Sequence, residues 1–134
     1  MSIRILLAVA LGSSIGGTLR HAIGEALLTA DATGFPWSTL TVNLLGSLVI
    51  GWFATLSAPD GRLFVGTATR QFVMTGVCGG FTTFSIFSLE TMELLQQGAW
   101  NVAIMNVVGT TALCLLAAWA GHVMALRANE LQSG

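Results

Sequence analysis

At 134 residues the chain suits one domain, and 54% of it is hydrophobic while only 8% is charged. A soluble domain carries about 25% charged residues, so a mean hydropathy of +0.79 excludes a soluble fold and marks an integral membrane protein. The formal net charge is −1 and lysine is absent, which leaves no basic patch for nucleic acid.

The first apolar segment covers residues 3–28. Arg4 followed by an apolar run also fits a signal peptide. Against that, the apolar pattern continues past Arg20, no convincing small-x-small cleavage site follows, and the other segments offer no soluble domain to deliver. Gly12 and Gly16 share one helix face and permit close helix approach. Arg20 would lie about 25 Å along this helix. It reads either as a snorkelling interfacial cation or as an anion-attracting charge at a pore mouth. His21 reads as an interfacial histidine.

Residues 31–36 form a short loop, and Trp37 is an interfacial anchor. The second segment, 37–58, is uncharged and long enough to span. Thr39 and Asn43 lie one turn apart on a face continued by Gly46 and Ile50. An asparagine inside a membrane helix must be paired or face water. Asn43 is therefore either a bond between helices or part of a polar path.

After a turn at 57–61, Arg62 and Arg70 flank the start of the third segment, 64–95. Its centre, Gly76-Val-Cys-Gly-Gly-Phe-Thr-Thr-Phe-Ser-Ile-Phe-Ser88, is unlike an ordinary membrane helix. Gly79-Gly80 weakens a helix by about 1 kcal/mol per residue relative to alanine. Thr82 and Thr83 offer the backbone other hydrogen bonds. A break near 79–83 is expected, and such backbone must be buried in protein or line a polar cavity. Phe84 and Phe87 face the same way if helix resumes after Thr83. Glu90 and Glu93 mark the end of the segment.

The fourth segment, 100–126, opens with Trp100 and carries Asn106, Thr110 and Cys114 as a stripe on one face. That stripe serves either helix packing or a polar path. Residues 127–134 form a polar tail. Cys78 and Cys114, both inside apolar segments, read as buried free thiols, since no zinc-like Cys/His spacing exists.

The fold class is thus an all-α integral membrane protein: one transmembrane domain, residues 1–134, with four transmembrane helices and a break in the third. The polar side chains at membrane depth are neutral, whereas a proton-coupled pump normally needs an intramembrane acid or histidine. A neutral donor-lined path suits passive conduction of a small anion or dipole. Arg4, Arg62, Arg70 and Arg127 fall on one side and Arg20 on the other, which weakly favours the first side as cytoplasmic. Four helices are too few to enclose a sizeable path, so a two-fold dimer is expected.

Two stretches carry a resemblance: Thr39-Leu-Thr-Val-Asn43-Leu-Leu-Gly46 and Gly76 to Ser88, with a weaker third, Gly12-Ser-Ser-Ile-Gly16-Gly-Thr-Leu-Arg20. In this order and frame the chain resembles the small bacterial fluoride channels, the Fluc or CrcB family. The resemblance implies an antiparallel, dual-topology homodimer in the bacterial inner membrane, with two fluoride pathways. It implies a structural, non-transported sodium ion at the dimer centre, held by the backbone carbonyls of Gly79 and Thr82. It implies an anion path using Asn43, Phe84 and Phe87, with Thr39, Asn106, Thr110 and Arg20 along or beside it. Glu90 falls at a polar position beyond the second phenylalanine. Ile86, Ser38, His21 and Cys114 depart from the family's usual residues and bear on the finer lining of the path.

The competing class is a small dual-topology drug/proton antiporter. It needs a carboxylate near the middle of the first helix, where this chain has none before Glu25. A non-transporting assembly protein would leave Asn43 and the glycine-rich break without a purpose. No nucleophile-base pair, metal cluster or phosphate loop points to an enzyme.

Overall fold

A computed structural model describes residues 2–28 and 34–130. Four stretches of it are helical and apolar enough to cross a membrane. They are α1 (Ile3–Leu28), α2 (Trp37–Leu56), the interrupted span Thr67–Gln96, and α5 (Trp100–Glu130). The interrupted span divides into α3, residues 67–81, and α4 (Ser85–Gln96). No strand occurs among the described residues.

Helix ends differ slightly from the hydropathy pattern. α2 stops at Leu56, because the chain must leave the helical region before Pro59. The third span begins at Thr67 instead of 64, and α5 continues to Glu130 instead of 126. Of the expected loop 31–36, residues 31–33 lie outside the described residues, as do residues 131–134 of the tail. At 31 residues α5 is about 46 Å long, more than a bilayer core needs. Its far end is tied to the α2–α3 connection: the Arg62 backbone N–H donates to Asn129 Oδ1 at 3.3 Å. Arg62 Nη1 donates to the Ala128 carbonyl at 3.4 Å.

Two helix pairs carry most of the packing, α1 against α3 and α2 against α5. Lipid offers no hydrophobic drive between helices, so small residues that admit close backbone contact take its place. A β-carbon on Gly12 would stand 2.5 Å from the Phe72 carbonyl oxygen and 2.9 Å from Gly76 Cα. In the other pair, Gly51 abuts the backbone of Ala118, and Gly121 the backbone of Leu48. The surface is correspondingly apolar: Leu11, Ile15, Val108 and Leu115 are exposed. Trp37 and Trp100, exposed near one end, and Trp52 and Trp119, exposed toward the other, fit two interfacial belts.

Candidate functional site

The interruption lies a little beyond the glycine pair. Residues 72–78 are wound as a π-helix, a form that tends to mark functional sites. Helix then persists through Gly79–Phe81, and the chain first turns extended at Thr82, with φ −83° and ψ 161°. Gly80 is a packing residue, since a β-carbon there would stand 2.5 Å from the Ser13 carbonyl oxygen of α1.

The break is surrounded by side-chain hydrogen bonds. Asn43 Nδ2 donates to the Thr83 carbonyl at 2.9 Å, and the Thr83 N–H donates to Asn43 Oδ1 at 2.7 Å. In a continuous helix that N–H would cap the Gly79 carbonyl. The Ile86 N–H donates to Thr83 Oγ1 at 3.2 Å, which caps the start of α4. Thr82 Oγ1 donates back to the Cys78 carbonyl at 3.0 Å. Gly46 leaves the space that the Thr82 methyl occupies.

Two cavities meet at this point. The larger, a groove of about 470 Å³ open to the outside of the chain, brings together Asn43, Gly79, Thr82, Phe84, Phe87 and Thr110. The two rings lie 5.8 Å apart between centroids and tilted by 39°. Phe84 is 78% exposed in the single chain. Ser47, Met74, Thr111 and Cys114 complete much of the wall. The smaller cavity, about 360 Å³, is lined by Arg20, His21, Glu25, Thr39, Ile86 and Glu90 among others. Thr83 lines both.

Arg20 turns toward the break, and its Nη1 donates to the Thr82 carbonyl at 3.3 Å. Thr39 is buried and donates to Glu90 Oε1 at 2.9 Å. Glu90 is therefore more than the water-facing end of its segment: it is half-buried, and its Oε2 is buried without a protein partner. Glu93 is exposed.

Asn106 departs from the expected polar path. It is fully buried, lines neither cavity, and joins α4 to α5. Its Nδ2 donates to Thr91 Oγ1 at 3.0 Å, and Thr110 Oγ1 donates to its Oδ1 at 3.0 Å. Two polar neighbours satisfy the amide, so it has no need of water. The stripe on α5 is thus split: Thr110 and Cys114 reach the groove while Asn106 holds the packing. Thr91 was not singled out from the sequence, where it is one hydroxyl among many; its distance of 15 positions from Asn106 across the α4–α5 turn was the available signal.

Fold and site together define a multi-pass helical membrane protein with a neutral, aromatic-walled groove at an interrupted span. Residues 7–122 match the family described as "CrcB-like protein, Camphor Resistance (CrcB)", and the chain belongs to that family. It is 57% identical over 122 residues to a protein of Paramagnetospirillum magneticum named "Fluoride-specific ion channel FluC", covering 91% of this chain and 95% of that one. A protein of the same name from Opitutus terrae is 51% identical, covering 96% and 97% of the two chains. One from Rhodospirillum rubrum is 50% identical, covering 92% and 96%.

Proposed function

We propose that this chain is a passive fluoride-selective channel that exports fluoride across the bacterial inner membrane and so relieves fluoride toxicity. The observation that carries the reading is the groove that gathers Asn43, Phe84, Phe87 and Thr110 with no charged side chain on its wall. Aromatic rings are positive at the edge. Ring edges, an amide N–H and hydroxyls replace part of the water shell of a small anion. Without a full charge, binding stays weak enough for release. Arg20 raises the local anion concentration from the smaller cavity, with Thr39 beside it. Asn106 serves the path through its bond to Thr110.

The functional unit in this reading is an antiparallel homodimer. Its support is the groove's openness on the outer side, with Phe84 and Gly79 exposed there, so that a second copy would complete the wall. A structural sodium ion suits the break. The Gly79 carbonyl has lost its helical donor to Asn43, and the Thr82 carbonyl, though it accepts from Arg20, has a second lone pair. A hard cation takes such oxygens. When bound, the ion supplies positive charge and ties two copies together without being transported.

The test is efflux from liposomes loaded with fluoride or with chloride, driven by valinomycin and an outward potassium gradient. Rapid fluoride loss without chloride loss, indifferent to a proton gradient, is expected. Retained fluoride, with drug uptake driven by protons, would replace this reading with the antiporter.

A further inference from the structure

We infer that Asn43 is a positioning residue: its side-chain amide holds the Thr83 peptide out of the helix and thereby sets the wall that the groove and the smaller cavity share. This goes beyond the N–H that Asn43 offers the groove, and it rests on the channel reading only for the sodium titration below.

The argument begins with what an amide can do. Asparagine carries one acceptor oxygen and two N–H donors in a plane. Here the oxygen takes the Thr83 N–H and one N–H reaches the Thr83 carbonyl, so both polar groups of a single residue are bound by one side chain. Serine and threonine are too short to bridge that pair, and aspartate lacks the donor. Glutamine carries the same groups one methylene further out. The second Nδ2 hydrogen remains for the groove that Asn43 lines.

Thr83 is 6% exposed, so these bonds and their surroundings shield its peptide from water while they hold. Its hydroxyl is already engaged by the Ile86 N–H, and that contact is local to the same span. The Asn43 pair reaches Thr83 from α2, 40 positions earlier in the chain. One turn beyond Asn43, Gly46 receives the Thr82 methyl. α2 therefore sets both residues of the break, Thr82 by shape and Thr83 by hydrogen bonds. The same geometry leaves the Gly79 carbonyl without its helical donor. Without the clamp, the Thr83 N–H is left without its partner, and the peptide that separates the two helical parts of residues 67–96 loosens.

Backbone hydrogen exchange at Thr83 tests this directly, on the full-length protein in lipid nanodiscs. Loss of a buried hydrogen bond of about 1.4 kcal/mol corresponds to about tenfold in exchange. Asn43→Leu and the smaller Asn43→Ala should each speed exchange at Thr83 about tenfold while α5 is unchanged. Asn43→Asp, which keeps the acceptor, should restore protection of that N–H. Unchanged exchange in Leu and Ala variants that fold would overturn the inference and leave Asn43 with a direct role toward the anion alone. Speeding throughout α5 as well would also overturn it, since the loosening would then be global.

A sodium titration of the same exchange separates the two readings. In the wild type, sodium should slow exchange over residues 79–84, and Asn43→Leu should raise the half-effective sodium concentration about tenfold, the equivalent of about 1.4 kcal/mol. Wild-type exchange that ignores sodium would remove the ion site from the proposed function, while the Thr83 result would still decide the clamp. Sodium that protects the wild type and Asn43→Leu at the same concentration would show that the clamp does not shape those carbonyls.

Discussion

On the groove side of Thr83 every lining side chain is neutral; on the other side Arg20, His21, Glu25 and Glu90 face a smaller cavity. The two differ in what they can do for an anion. Fixed charge acts over a distance and raises the local concentration of an opposite ion. Neutral edges and hydroxyls act at contact, and they hold an ion without trapping it. In the proposed channel, Arg20 on the charged side would attract the anion, against the carboxylates of Glu25 and Glu90 beside it, and the neutral side would pass it. A single peptide, held by Asn43, separates them.

The comparison breaks most directly at the rings. Phe84→Ile and Phe87→Ile keep apolar bulk but remove the positive ring edge. Each should slow fluoride efflux more than about tenfold, the equivalent of one lost interaction of 1.4 kcal/mol, while the protein still assembles. Efflux at the wild-type rate in both variants would take the groove out of the path.

A second substitution acts on the divider. A β-carbon at Gly46 would overlap the Thr82 methyl. Overpacking of this kind costs about 1–3 kcal/mol, so Gly46→Ala should reduce efflux by up to about tenfold and lower thermal stability. Thr82→Ser removes the methyl and keeps the hydroxyl that donates to Cys78. The double variant Gly46→Ala/Thr82→Ser should therefore recover most of the loss. No recovery would mean that Gly46 acts elsewhere on α2.

How much of this was legible in the sequence follows from the range of each signal. Hydropathy is local, and it marks the four spans to within a few residues. Gly12 and Gly16 announced a close contact by their spacing, but their partners Gly76 and Gly80 sat in a stretch that also suggested a break. Glycine weakens a helix and thins it for packing, and the letter alone does not say which. The break belongs to Thr82 and Thr83, and its cause includes Asn43 on another span. That pairing has no periodicity to reveal it. The Thr39–Glu90 bond is hidden for the same reason, because an acid near the end of a segment looks like a water-facing terminus until α2 is placed beside it. Asn106 and Thr110 were legible as a stripe, but which of them faces a cavity depends on Thr91 across a turn.

The mildest change tests the charged side. Arg20→Gln removes a cation that contributes through its field and through one hydrogen bond of 3.3 Å to the Thr82 carbonyl. Glutamine ends two bonds short of Nη1, so both the field and the hydrogen bond are lost, and only the field depends on salt. Surface fields are screened over about 8 Å at physiological ionic strength and over about 30 Å at 0.01 M. Efflux should therefore fall about threefold at low ionic strength, and less at high salt, if Arg20 concentrates anions electrostatically. Glu90→Gln is the opposite case. It keeps an oxygen for the Thr39 hydroxyl while removing a carboxylate from the same cavity. It should leave efflux unchanged or raise it, again with the larger effect at low salt. Equal losses for Arg20→Gln at both salt concentrations would point to the Thr82 bond as its main contribution, and Arg20 would then belong with Asn43 among the residues that shape the break.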